Sequence, residues 1–182
     1  MNPLRILLIA AALTATLAAC DGDTIIGEDS GHSLSLRSGV LTARAPGEPD
    51  ANITAAGDLN ISGKPVAVTP AQRDLLKKFY GEVVDIRKAG IETGKAGAAM
   101  AGHAIGAVAT GLAHGDPDSI GPKIEANATE IEKKAMLICD SVSTLRTTQD
   151  AIVTTLPAFK PYAGIGADDE SDCRNDHKTV RK

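Results

Sequence analysis

Three cysteines, four histidines and one acidic run are the side chains of this 182-residue chain with reactive chemistry to offer. His32, His103, His114 and His177 are its only imidazole bases. None stands in a triad motif or beside the Gly-x-Ser-x-Gly turn that presents a serine to a base. Asp168, Asp169, Glu170 and Asp172 surround Cys173 and His177, which lie one helical turn apart and could ligate a cation. A charged tail with so few apolar neighbours reads instead as a solvated segment. Adjacent carboxylates such as Asp168 and Asp169 also lack the apolar setting that raises one pKa of a pair for general-acid work. No catalytic residue, metal or cofactor is therefore assigned, and a hydrolase with an unrecognised site is the least favoured reading.

Cys20 is the cysteine whose surroundings specify a reaction. Arg5 supplies a positive start, an apolar stretch runs to Leu17, and small residues follow, which is the plan of a secretory signal. The run Leu17-Ala18-Ala19-Cys20 resembles the bacterial lipobox. There, diacylglycerol is joined to the thiol and the chain is cut just before it, which would remove residues 1–19 and leave Cys20 as an acylated amino terminus. A cysteine is needed because its thiol is a nucleophile soft enough to take the lipid. An ordinary cleaved signal is the competing reading. A spanning helix fits less well, because the stretch falls short of the ~20 residues a span requires and Asp21-Gly22-Asp23 follows at once. Each acyl chain contributes ~0.8 kcal/mol per buried CH₂, so several on one cysteine hold a protein firmly on a membrane. The expected location is the periplasmic side of a bacterial envelope. Asp21 resembles an inner-membrane retention signal and leans toward that membrane.

Charge and aromatic content narrow the partners. Beyond Cys20 the 23 acidic residues outnumber the bases by five, the wrong sign for a nucleic-acid partner. Phe79, Tyr80, Phe159 and Tyr162 are the only aromatics, so stacking platforms are nearly absent. With Cys20 acylated, Cys139 and Cys173 form the one available pair in a compartment that permits disulfides. Closing their 34-residue separation would stabilise the fold by about 4 kcal/mol in the chain-entropy model. Two free thiols, one in a helix and one in a loose tail, is the alternative the sequence leaves open.

The elements that must position these residues read as an α+β chain: a small antiparallel β-meander, then a long antiparallel two-helix hairpin. Residues 20–31 read as a flexible tether, 32–162 as a single domain and 163–182 as a disordered charged tail. Within 32–68 the apolar period is two, with a hairpin about Ser38-Gly39 and short strands at Asn52–Thr54, Asp58–Ile61 and Pro65–Val68. Thr69, Pro70 and Gln72 spell a capping box that opens a first helix over 70–113. Leu76, Phe79, Val83 and Ile86 give it an apolar face. Further along, Gly90, Gly94, Ala98, Gly102 and Gly106 recur every four residues and predict a groove for a close helix neighbour. Over 122–156, Ile124, Ile131, Ile138, Leu145 and Ile152 repeat every seven. Ala128, Ala135, Val142, Gln149 and Leu156 lie four beyond each, a coiled-coil seam on the second helix.

The segment from Ile53 to Arg73, running through Gly63-Lys64-Pro65 into Ala71-Gln72-Arg73, resembles the signature of the YggN-type family of uncharacterised bacterial envelope proteins. Ile138-Cys139-Asp140-Ser141-Val142, with Leu145 beyond, is similar to that family's C-terminal helix and its cysteine. The resemblance covers about half of the chain beyond Cys20 and implies a small β-unit joined to long helices. It implies no activity. The lipobox and the richness of the Ala/Gly run depart from the family's pattern. The functional expectation is a non-enzymatic, lipid-anchored envelope protein that meets a protein partner, or itself, through the helical hairpin. The alternative is a glycine-zipper lipoprotein that inserts residues 96–113 into a bilayer.

Overall fold

The computed structural model describes residues 24–26, 31–114 and 120–179. Six strands, β1 (Thr24–Ile26), β2 (Ser33–Arg37), β3 (Val40–Arg44), β4 (Ala51–Thr54), β5 (Leu59–Ile61) and β6 (Lys64–Pro65), form one sheet in chain order. Every neighbouring pair is antiparallel. The period-two pattern sets the register: Leu34 pairs with Ala43, Leu36 with Leu41, Leu41 with Ile53, and Ile53 with Leu59. These side chains share one face, and all are buried. Two-residue loops join β2 to β3 and β5 to β6, and Ser38, Gly39, Ser62 and Gly63 all have positive φ there. That is the turn whose twist matches a right-handed hairpin.

Two ends of the sheet differ from the sequence reading. Thr24–Ile26, placed in the tether, pairs with Leu34–Leu36 as an edge strand. Three successive β-branched residues beside an open edge outweigh the Asp- and Gly-rich composition around them. The last strand is Lys64–Pro65 rather than Pro65–Val68.

Helix α1 (Pro70–His114) opens on the expected capping box. The Thr69 N–H donates to Gln72 Oε1 at 2.8 Å, and the Gln72 N–H donates to Thr69 Oγ1 at 3.3 Å. After α2 (Ile120–Thr155), a 3-10 helix (Pro157–Tyr162) turns the chain back to the sheet, and α3 (Ala167–Thr179) follows. Gln72 Nε2 donates to the Thr155 carbonyl at 2.6 Å and the Thr148 hydroxyl to Glu82 at 3.0 Å, so α1 and α2 run antiparallel. Leu76, Phe79, Val83 and Ile86 of α1 pack in one core with Leu145 and Ile152 of α2, Leu156 just after it, the sheet's apolar face, and Phe159 and Tyr162. Gly57, with φ +77°, lies so close to α1 that a Cβ would stand 2.5 Å from the Arg73 carbonyl oxygen. Beside it Arg73 pairs with Asp58 and holds that carboxyl below its usual range.

The tail is not disordered as expected, since residues 167–179 form α3. A 13-residue polar helix is marginal alone in water. Here a bond between Cys139 and Cys173, with Cα atoms 5.7 Å apart, ties it to α2. Arg174 adds an ion pair to Asp140 at 2.6 Å.

The predicted groove of small residues is also corrected. Gly90, Gly94, Ala98, Gly102 and Gly106 are exposed, and a Cβ built on any of the four glycines meets nothing within 4 Å. Steps of four advance about 40° around a helix of 3.6 residues per turn, so that line winds off the α2 side. The face that continues from Ile86 alternates steps of three and four. It runs through Thr93, Gly97, Met100 and Ala104, all half-buried. On α2 the heptad seam closes over Ala135, Leu145, Gln149, Ile152 and Leu156. Ile131, Ile138 and Val142 are half-buried and Ala128 is exposed. Ile124 falls where side chains are not described. The seam opens toward the tip because α1 offers it little more than Ala and Gly there.

Phe79 is fully buried and sits edge-on to Phe159, with ring centroids 5.7 Å apart. Phe79→Ala is expected to cost about 3–5 kcal/mol, read from the shift in the urea-unfolding midpoint with the disulfide intact.

Candidate functional site

Cys20 and Asp21 lie outside the described residues, as do the side chains of His114 and His177. Of the remaining sequence candidates, His32 and Asp169 meet at the joint between α2, the sheet and the segment that follows the 3-10 helix, whereas His103 is exposed on α1. His32, Ser33, Gln149, Tyr162 and Asp169 line a pocket of about 160 Å³ there, floored by Leu34, Val142 and Ile165. Its polar groups already serve the joint. His32 Nε2 lies 3.0 Å from the Pro161 carbonyl oxygen. The Tyr162 hydroxyl donates to the Pro49 carbonyl at 2.7 Å, and burial, with Glu48 and Asp50 nearby, lifts its pKa. Gln149 clasps Ile165 twice: its amide donates to the Ile165 carbonyl at 3.0 Å and accepts the Ile165 N–H at 3.1 Å. Gly164 passes so near His32 that a Cβ would come within 2.4 Å of the imidazole's own Cβ. The arrangement holds the chain after Tyr162 against α2, and His32 is framework of that contact.

Gln149 is a functional position that the heptad reading placed but did not explain. A polar residue in a run of apolar seam positions signals a specific partner. Here the partner is backbone that arrives 16 residues later in the chain.

Two of the tail candidates, Asp169 and Cys173, take structural parts. Asp169 accepts from the Gly166 N–H and caps α3. Cys173 is bonded to Cys139, which is fully buried. Among the described residues no group of three or more His, Cys, Asp or Glu is arranged to hold a metal ion.

A second concavity, of about 350 Å³, lies between the helices and is lined by Glu82, Asp85, Leu137, Asp140, Ser141 and Thr144. Glu82 is not singled out by the sequence, yet its side chain is only 12% exposed. One carboxylate oxygen accepts from Thr148 and lies 3.7 Å from Lys78, while Oε2 is buried without a partner. Burial, the largest influence, raises the Glu82 pKa against the pull of Thr148 and Lys78, and Asp85 adds to the rise.

Beyond this joint the hairpin continues with large apolar side chains in the open: Ile91 at 47% exposure, Leu137 at 62% and Ile105 at 73%. Among the described residues no helix is long and apolar enough to cross a membrane. Comparison with protein-family models, curated proteins and solved structures finds no match.

Two outcomes follow from this geometry. Cys173→Ser is expected to lower stability by about 4 kcal/mol and to abolish amide-exchange protection in α3, while the amides of β2 to β5 stay protected. For Glu82, a raised pKa means the folded protein holds the proton more tightly than the unfolded chain. Its stabilising share is therefore present at acidic pH and lost as pH rises through the raised value. Glu82→Gln should raise the melting midpoint at pH 7 and reduce the fall in that midpoint between mildly acidic and neutral pH, as followed by circular dichroism.

Proposed function

We propose that this chain is a non-enzymatic, lipid-anchored protein of the bacterial envelope that works by presenting a helical arm to another protein surface. One observation carries the reading: α1 and α2 run on past the core, and Ile91, Ile105 and Leu137 lie in solvent along that extension. Exposed large apolar side chains on a projecting element are a feature of interaction surfaces. At 1.5 Å per residue, the stretch of α1 beyond Gly90 reaches about 36 Å. The polar groups at the joint are engaged in structural hydrogen bonds, which favours a scaffold over a reaction centre.

The anchor reading rests on the lipobox resemblance at Cys20 and is supported by what comes next in the chain. Edge strand β1 begins at Thr24. A lipid on Cys20 would hold the sheet within about 14 Å of the attachment point, given ~3.5 Å per extended residue. The anchor then grips the base of the molecule and leaves the arm for a partner. Asp21 favours the inner membrane, and the resemblance to the YggN-type family agrees with an envelope location.

Wild-type protein is expected in the membrane pellet, with acyl mass on its amino-terminal peptide. Cys20→Ala should shift it to the soluble osmotic-shock fraction with its circular-dichroism spectrum unchanged. An unmodified amino terminus on protein purified from its own membranes would overturn the anchor. A photo-crosslinking residue at position 105 that captures no protein in cells would overturn the arm as an interface.

A further inference from the structure

We propose that the Cys139–Cys173 bond is a redox-operated latch: a dithiol reductant opens it, α3 swings away at Gly166, and the Cys139 thiol and one wall of the pocket at the joint are uncovered. The bond differs from a staple of the core in what it holds. Apart from Ala167 and Cys173, every residue of α3 is polar or charged, so almost no apolar burial draws the helix to α2. Thirteen residues are too few for a stable helix alone in water. The Arg174–Asp140 pair beside the bond has side chains 34% and 59% exposed, and a pair so exposed shifts an equilibrium by about fivefold at most. Docking of α3 therefore depends on the covalent tie, whereas the aromatic joint does not use it.

The position of Cys139 fixes what the latch covers. At 3.6 residues per turn it stands about 120° around α2 from the core residue Leu145, and Met136, Ser143 and Arg146 on its side of the helix are only half-buried. Cys139 itself is fully buried. The element bonded to it there is α3, so α3 is what shields its sulfur. The moving part is bounded. Gln149 holds Ile165 by two hydrogen bonds, Gly166 follows, and α3 starts at Ala167. Asp169 is the α3 residue that lines the pocket. Release takes that wall away and leaves the floor of Leu34, Val142 and Ile165 in place.

Cys173 is half-buried and Cys139 fully buried, so a reductant's thiolate attacks the Cys173 sulfur. The Cys139–Cys173 bond breaks, a mixed disulfide forms on Cys173, and Cys139 leaves as a thiolate that takes up a proton. The reductant's second thiol then displaces Cys173. The protein has gained two electrons and two protons, and the reductant departs as its own disulfide.

The test uses the full-length protein with dithiothreitol as the dithiol. Reduction should speed amide exchange in residues 171–179 by about tenfold or more while β2 to β5 keep their protection. Iodoacetamide without denaturant should then alkylate Cys139 within about tenfold of its rate in urea, and reoxidation should restore the protection of α3. Hydroxyl-radical labelling of Val142 and Ile165 should rise about threefold or more on reduction. Oxidised Arg174→Ala protein should keep α3 protected, because the bond and not the ion pair holds it. A reduced protein whose α3 stays protected, or whose Cys139 resists alkylation, overturns the latch. Loss of protection in the sheet overturns it too, since the bond would then be a staple of the whole fold. Unchanged labelling of Val142 and Ile165 overturns the opening of the pocket.

Discussion

Three buried aromatic rings at one joint hold this molecule together. Phe79 from α1, Phe159 and Tyr162 from the 3-10 helix contact one another where the sheet's apolar face meets both long helices. The strands supply only Leu, Ile and Ala to that core, so the large side chains that fill the space between layers must come from the helical segments. Each tyrosine also sends its hydroxyl to a loop of the sheet: Tyr162 to Pro49 and Tyr80 to Gly39. The same few residues thus supply buried area and fix how the meander sits on the hairpin.

Secondary ties extend that order to parts of the chain that could not keep it alone. The α3 segment has almost no apolar surface, and its place against α2 depends on the Cys139–Cys173 bond and the Arg174–Asp140 pair. The two-way clasp of Gln149 on Ile165 satisfies backbone groups that would otherwise be buried without partners. Loss of either tie should free the end of the chain and leave the aromatic joint standing.

Away from the joint the hairpin thins. Opposite the first part of α2, helix α1 carries Ala and Gly, which give adequate helix contact but no third layer. That thinning leaves Ile91, Ile105 and Leu137 in water.

Much of the plan was legible in the residues themselves. Period two in 32–68 and the Thr69–Gln72 capping box are local patterns, and local sterics and hydrogen bonding decide them without reference to the rest of the chain. The heptads of α2 likewise pointed to Leu145, Ile152 and Leu156 as core. What the residues could not settle was relative rotation. The small-residue line from Gly90 to Gly106 had the spacing of a packing groove, yet which side of α1 met α2 was decided by the joint, where Phe79 and Val83 set the helix's orientation. The order of α3, the burial of Glu82 and the partner of Gln149 have the same origin. Each depends on contacts between residues 16 to 66 positions apart, and only the folded chain brings those together.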